Sequence, residues 1–192
     1  MARCSRDDAH GPAGGAGVRG EARARDPLET PMSLDRGEFR KGLGCFATGV
    51  TVVTSVAGDG SLLGITANSF NSVSLDPPLV LFSLNRNAYS LRAFEDAGCF
   101  AINVLRDDQK ALSATFARSL ADKWGGVAYE VWDTGCPILT DALANFECRT
   151  RSTHDGGDHV IFVGEVARMR ATTSGRPLLY FRGAYSALGD VD

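Results

Sequence analysis

Gly64-Ile65-Thr66-Ala67-Asn68-Ser69-Phe70-Asn71-Ser72-Val73-Ser74-Leu75-Asp76-Pro77-Pro78-Leu79-Val80-Leu81 reads as a strand, a polar turn and a second strand. Residues 64–70 look like extended chain, yet their side chains are small and polar where a buried strand is rich in Val, Ile and Leu. Small side chains let a flat ligand lie against the backbone. Thr66, Asn68, Ser69 and Ser72 carry hydroxyls and amides able to meet ring heteroatoms or a sugar chain. Asp76-Pro77-Pro78 interrupts the ladder, because neither proline has an N–H to donate, and residues 79–84 resume as an apolar strand. On this chemistry alone two readings stand. One is a hairpin whose polar side faces water; the other is the floor of a pocket, mostly apolar with a few placed polar groups.

Upstream, residues 35–48 read as a helix. Asp35 is its N-cap, Glu38 completes a variant capping box, Phe39, Leu43 and Phe46 recur at helical spacing, and Gly49 can close it. Residues 50–56 form a β-branched strand, and Ala57-Gly58-Asp59-Gly60 turns it back into the opening stretch. Downstream, residues 85–89 form a loop and Ser90 caps a short helix that runs to Ala97 and ends at Gly98. Residues 99–105 are a buried strand, and Asp107 or Asp108 caps a helix to about Arg118 with Leu112 and Phe116 inward. Residues 137–139 are short and irregular. Residues 142–154 alternate, with Phe146 and Cys148 on one face and Glu147, Arg149 and Arg151 on the other. Asp155-Gly156-Gly157 turns, residues 159–169 pair back, and residues 177–182 are the last strand. Short strands, Gly/Pro turns and few helices predict a mainly β, closed architecture. Without regular strand–helix alternation, a doubly wound parallel sheet is disfavoured.

The 192 residues suit one domain with a sizeable core, and 44% apolar content is ordinary for a globular protein. A net charge of -3 argues against a nucleic-acid partner, and no apolar run approaches the length of a membrane-spanning helix. Residues 1–31 are rich in Gly, Ala, Arg and Asp with almost no large apolar side chain, so a disordered tail is expected there, followed by a domain over 32–192. Met32 is a candidate native start. The N-terminus lacks the apolar segment of a signal peptide. The five cysteines, Cys4, Cys45, Cys99, Cys136 and Cys148, are odd in number and form no C-x-x-C pair. Free thiols in a reducing cytoplasm are expected, with Cys99 and Cys148 as small core residues.

The densest ionisable cluster is His154-Asp155-Gly156-Gly157-Asp158-His159. Histidines and aspartates can ligate zinc or iron, but these straddle a tight hairpin where side chains need not converge, and no H-E-x-x-H or paired C-x-x-C supports a metal. The plain alternative is that Asp155 and Asp158 make turn hydrogen bonds. A helix start at Ser90 beside Arg86 suits a phosphate as well as it suits a surface cap, and Lys123 could reach one too, although an isolated lysine is usually only solvated. Gly42-Leu43-Gly44-Cys45-Phe46-Ala47 matches G-x-G-x-x-A but follows no strand, so it reads as close helix packing. Neither a G-x-S-x-G elbow nor a G-x-x-x-x-G-K-[ST] loop occurs, which disfavours a serine hydrolase and a P-loop nucleotidase.

Residues 64–70 and 72–80 resemble the signature of the flavin reductase family, the small reductase components of two-component flavin-dependent monooxygenases. The resemblance continues through Ser83-Leu84-Asn85-Arg86, Phe100-Ala101-Ile102-Asn103-Val104, Gly157-Asp158-His159 and Leu179-Tyr180-Phe181-Arg182-Gly183, in the family's order, and covers roughly residues 39–188. It implies an FMN-binding split β-barrel of Greek-key type with a few flanking helices, normally a homodimer. It implies an NAD(P)H-dependent reduction of FMN, with FAD possible, by hydride transfer from NADH or NADPH, and delivery of free reduced flavin to a separate monooxygenase. Thr66, Ala67, Asn68 and Ser69 would line the flavin ring and its ribityl chain. Ser83 and Leu84 would contact the ring, and Arg86, Ser90 and Lys123 are phosphate candidates. His159, with Gly157 and Asp158, would meet the nicotinamide as the catalytic-site histidine, and Tyr180 would close the pocket. No metal is implied. The same barrel also serves as a non-catalytic flavin- or haem-binding module, and a metal-dependent hydrolase using His154 and His159 is the third class to separate.

Overall fold

The computed structural model describes residues 34–118 and 122–189. The expected 1–31 tail and Met32 lie outside the described residues. The chain runs α1 (Arg36–Leu43), β1 (Thr48–Gly49), β2 (Thr51–Val56), β3 (Leu62–Ala67), β4 (Asn71–Leu75), β5 (Pro78–Asn85), α2 (Leu91–Ala97), β6 (Cys99–Val104), α3 (Lys110–Phe116), β7 (Tyr129–Val131), β8 (Pro137–Leu139), β9 (Ala144–Gly156), β10 (His159–Ala171), β11 (Leu179–Phe181) and β12 (Ala184–Ser186). Seven strands form one antiparallel sheet in the order β3-β2-β6-β9-β10-β5-β4, with smaller sheets β1-β11-β12 and β7-β8 beside it.

That order corrects the hairpin reading of residues 64–81. The segment read as a polar turn contains β4, and β3 and β4 are the two opposite edges of the sheet. β4 escaped notice because an edge strand is held by backbone pairing to one neighbour; Asn71, Ser72, Val73 and Leu75 are exposed and show no buried face. Asp76-Pro77 makes the turn, and Pro78 opens β5, a position that asks no N–H of the ladder. The sheet curls so that its β3 end meets β5. The Ser69 hydroxyl donates to Ser83 O at 3.1 Å and accepts from Ser83 N at 2.9 Å. This contact is a seam between two strands that are not paired, and the architecture is mainly β and of the split-barrel type with the sheet left open there.

The concave side encloses the main core. Phe82, Phe94, Phe100 and Phe162 are buried together, with Phe82 against Phe100 and against Phe162 at 4.9 Å between ring centroids. Each such side chain contributes roughly 1.5–3 kcal/mol on burial. Gly164 makes room for this packing: a Cβ there would lie 2.3 Å from Phe100 Cζ.

Several ends differ from expectation. α1 stops at Leu43 and Gly44, and Asp35 Oδ1 accepts from Glu38 N at 2.8 Å as an N-cap does. It buries no residue: Phe39, Leu43 and Phe46 are 53%, 60% and 76% exposed. α2 ends at Gly98 with φ 65°, but the Ser90 hydroxyl makes no cap bond. α3 begins after Gln109, not after Asp107 or Asp108; the Gln109 side chain accepts from Arg106 N instead. No helix among the described residues is long and apolar enough to cross a membrane.

The outward face of β2, β6 and β9 is also covered. Residues 125–143, carrying β7 and β8, lie over it, and the contact joins an apolar cluster of Ala101, Trp132, Cys136 and Ile138 to a set of buried hydrogen bonds. Asn103 Nδ2 donates to Val52 O and Thr54 Oγ1, while its Oδ1 accepts from Leu139 N and Asn145 Nδ2. Thr54 Oγ1 donates to Pro137 O, and Glu147 Oε1 accepts from Thr134 N and Oγ1. Glu147 therefore has 0% exposure, although Arg149 and Arg151, which share its face in the alternation of residues 142–154, are exposed.

Candidate active site

A cleft of about 1130 Å³ opens between β3, the end of β5, the β9–β10 turn, the end of α3 and the segment at Lys123 and Trp124. Residues 64–69 give one part of its wall mostly short side chains, beside larger ones such as Tyr89, Phe116 and Trp124. Thr66, Ala67, Asn68, Ser69, Ser83, Leu84, Ser90, Lys123 and His159 all line it, so nine of the sequence-predicted positions come together. Arg86, Gly157, Asp158 and Tyr180 do not line it.

Much of the polar wall is engaged with the protein itself. Thr66 Oγ1 donates to Ser113 O at 2.6 Å, which ties β3 to α3. Ser69 closes the seam to Ser83. Lys123 Nζ donates to Gly64 O at 3.1 Å and Phe116 O at 3.3 Å, and burial lowers its pKa. It braces β3 through these two carbonyls while still lining the cleft. Trp124 continues that brace, with Nε1 donating to Leu62 O at 3.1 Å and its ring edge-on to Phe116. Gly64 is required here, since a Cβ would lie 2.3 Å from Phe116 Cε1.

Arg86 sits outside the cleft and fastens the β9–β10 turn. Nε donates to Gly157 O and Nη2 to Asp155 Oδ1, both at 2.8 Å, and its own N–H donates to Asp158 O at 2.9 Å. Asp155 also accepts from Gly157 N, and the Arg86 contact is the main reason its carboxyl lies below the ordinary range. Gly157, at φ 75°, supplies the left-handed backbone of this turn. These contacts engage Nε and Nη2 of Arg86 with the turn. Tyr180 packs edge-on against Tyr185 within the small sheet, and not over the cleft.

Two positions keep ligand-ready groups. The exposed Asn68 amide makes no side-chain hydrogen bond among the described residues. His159 Nδ1 meets Asp158 Oδ1 at 2.7 Å, a contact that lowers the Asp158 pKa. A carboxylate only accepts, so Nδ1 carries a proton, and in the neutral tautomer that this selects Nε2 is an acceptor. His154, the other histidine of the cluster, meets Ser152 Oγ through Nε2 at 2.8 Å and does not line the cleft.

The sequence reading missed Arg118, Tyr89, Asn85 and Gly156 as lining residues. Arg118 follows α3 and has no ion pair among the described residues. Its only signal in the sequence was a cation at the end of a helix whose inward residue, Phe116, packs under β3.

Residues 43–189 match the flavin reductase like domain. An NADH-dependent FMN reductase of Agrobacterium fabrum is 48% identical over 147 residues, covering 77% of this chain and 83% of the relative. The reductase subunit of a flavin-dependent monooxygenase from Rhodococcus jostii is 40% identical over 156 residues, covering 81% and 80%. The solved structure of a Streptomyces globisporus NADH:FAD oxidoreductase, in complex with NAD and FAD fragments, superposes with a TM-score of 0.78 at 35% identity, covering 82% of this chain and 96% of that one.

Proposed function

The chain belongs to the flavin reductase family, and from that premise we propose that it is an NAD(P)H:flavin oxidoreductase which reduces FMN or FAD and releases it to a separate monooxygenase. The observation that carries the reading is the cleft itself: a groove walled in part by short side chains, in which Asn68 and His159 keep free polar groups while their neighbours brace the wall. Flavin, when bound, supplies the redox chemistry, accepting a hydride from the nicotinamide.

The protein's part is positional. Ala67 and the backbone of residues 66–69 let the ring approach closely, and Asn68 hydrogen-bonds its polar edge. Asp158 holds the His159 ring so that Nε2 accepts from the nicotinamide carboxamide N–H₂. Arg118 takes the phosphate ahead of Arg86 and Lys123, part of whose donors hold the β9–β10 turn and β3. Holding two rings in stacked register removes most of the orientational barrier without a strong general acid or base. The exposed apolar side chains of α1 and the unpaired edge strand β4 support a homodimer. The four free thiols among the described residues support a reducing cytoplasm.

The test is steady-state oxidation of NADH and NADPH, each with FMN, FAD and riboflavin, alongside sedimentation of the protein alone. Turnover far above free flavin is expected. Flavin binding without turnover would leave a binding module, and absence of both binding and turnover would refute the reading.

A further inference from the structure

Behind the cleft wall, on the covered outer face of the sheet, two cysteines meet. Cys99 opens β6 and Cys136 stands just ahead of β8, with their sulfurs 3.5 Å apart. Cys136 is fully buried and Cys99 is partly exposed. Both are held. Ser55 Oγ donates to Cys99 O at 2.7 Å, and Glu147 Oε1 accepts from Thr134 N and Oγ1, which fixes the loop leading into Cys136. Cys136 N donates to Thr134 Oγ1 at 3.4 Å. Cys45 and Cys148 have no cysteine partner among the described residues.

We propose that Cys99 and Cys136 form a reversible intramolecular disulfide when Cys99 is oxidised by hydrogen peroxide, the product of oxygen with reduced flavin that no monooxygenase has taken up. The source of peroxide rests on the proposed activity; the chemistry of the pair does not. The chain of events balances. Cys99 thiolate attacks one peroxide oxygen, the O–O bond breaks, hydroxide leaves and Cys99 becomes a sulfenic acid. Cys136 then attacks the Cys99 sulfur, the S–S bond forms, the S–O bond breaks, and the released protons and hydroxides make two waters. The sulfurs lose two electrons and peroxide gains them.

The roles follow from the surroundings. The Cys136 S–H directed at Cys99 is the main cause that pulls the Cys99 thiol down to about 7, against burial and the nearby Glu147 carboxylate. The same contact and burial push Cys136 up. Cys99 is thus both the reachable sulfur and the one with thiolate character at neutral pH, and Cys136 resolves it before further oxidation. The crosslink must draw the sulfurs from 3.5 Å to about 2 Å. It encloses α3, Lys123 and Trp124, so it fastens the chain that braces β3 and the cleft.

One experiment has two arms. In the first, reduced full-length protein receives hydrogen peroxide without flavin or nicotinamide. The expected product is a monomer lighter by about 2 Da, with Cys99 joined to Cys136 in a non-reducing peptide map and both thiols restored by dithiothreitol. Its Tm rises by roughly 5–10 °C. Cys136→Ser instead traps a dimedone adduct on Cys99, and Cys99→Ser forms no crosslink. Oxidation confined to Cys45, a disulfide joining any other pair, or no Cys99 adduct in Cys136→Ser overturns the proposal. In the second arm the protein turns over flavin and NADH in air. The same crosslink is expected, and catalase prevents it. NADH consumption without the crosslink overturns the self-generated source. Failure to consume NADH instead refutes the proposed activity, while the first arm still decides the pair.

Discussion

Two regions of this protein are built from polar residues on strands, and they do opposite things. At the cleft, polar side chains of the segment after β3 face an open groove. On the outward face of β2, β6 and β9, Thr54, Asn103, Asn145 and Glu147 are buried under the segment that carries β7 and β8. In the covered region the Asn103 amide has all its partners within the protein. At the cleft most groups are engaged as well: Thr66 with α3, Ser69 with Ser83, Lys123 with two carbonyls. A polar residue is thus no pointer to a ligand by itself. The pointer is the group the fold leaves without a partner, and at the cleft, among the described residues, those are Asn68, His159 Nε2 and Arg118.

The largest expected effect tests the covered region. Asn103→Leu removes four hydrogen bonds and strands Leu139 N and one N–H of the Asn145 amide, each costing about 1–3 kcal/mol when left unpaired. Urea unfolding should show a loss of about 3–5 kcal/mol, while turnover per folded molecule stays near wild type. A loss below about 1 kcal/mol would mean that the covering segment is loosely held. The next effect separates two neighbours at the cleft. Ser69→Ala opens the seam to Ser83 and should cost about 1–2 kcal/mol of stability together with flavin affinity. Asn68→Ala should leave stability within about 0.5 kcal/mol and weaken flavin by roughly fivefold to tenfold. Equal stability losses in both variants would erase the distinction between engaged and free groups.

What could be read from the sequence follows the same division. The strands 50–56, 99–105 and 159–169 were legible because β-branched and aromatic residues bounded by Gly and Asp leave few alternatives. Gly98 ended α2 where expected, since its φ of 65° suits a residue without a Cβ. The cleft positions 66–69, 83, 84, 90, 123 and 159 were also found, through resemblance more than chemistry. The side on which Glu147 lies was not legible. Alternation tells two faces apart, but cannot tell water from a covering segment held by hydrogen bonds. β7 and β8 are each three residues long, too short for a period to show. Arg86 and Arg118 carry the same charge, and only the turn that brings Gly157 O and Asp155 to Arg86 shows which of them is engaged.

His159→Ala sharpens the cleft side further. Asp158 holds the ring, so the loss should appear chiefly as a raised KM for NAD(P)H, about fivefold to tenfold for one neutral hydrogen bond, with flavin affinity nearly unchanged. A variant that lost flavin affinity while keeping its KM for the nicotinamide would move His159 to the other ligand.

The smallest effect belongs to the exposed clamp that holds the turn beneath His159. Arg86 and the Gly157 N–H both favour ionised Asp155, so its pKa is lower folded than unfolded. Around and below the ordinary carboxyl pKa of about 4 the unfolded chain takes up this proton first, so acid favours unfolding. The clamp's stabilisation is therefore complete above that value and fades as pH falls through the lower folded pKa. Comparing Tm of wild type and Asp155→Asn from neutral to acid pH should show a small gap that narrows as the medium acidifies. Both groups are solvent-exposed, so salt should shrink the same gap. Asparagine can still accept from Gly157 N, so a gap that persisted unchanged into acid would mean that Asp155 holds the turn by its fit and not by its charge. The engaged arginine would then be a geometric part of the turn, as Ser69 is of the seam.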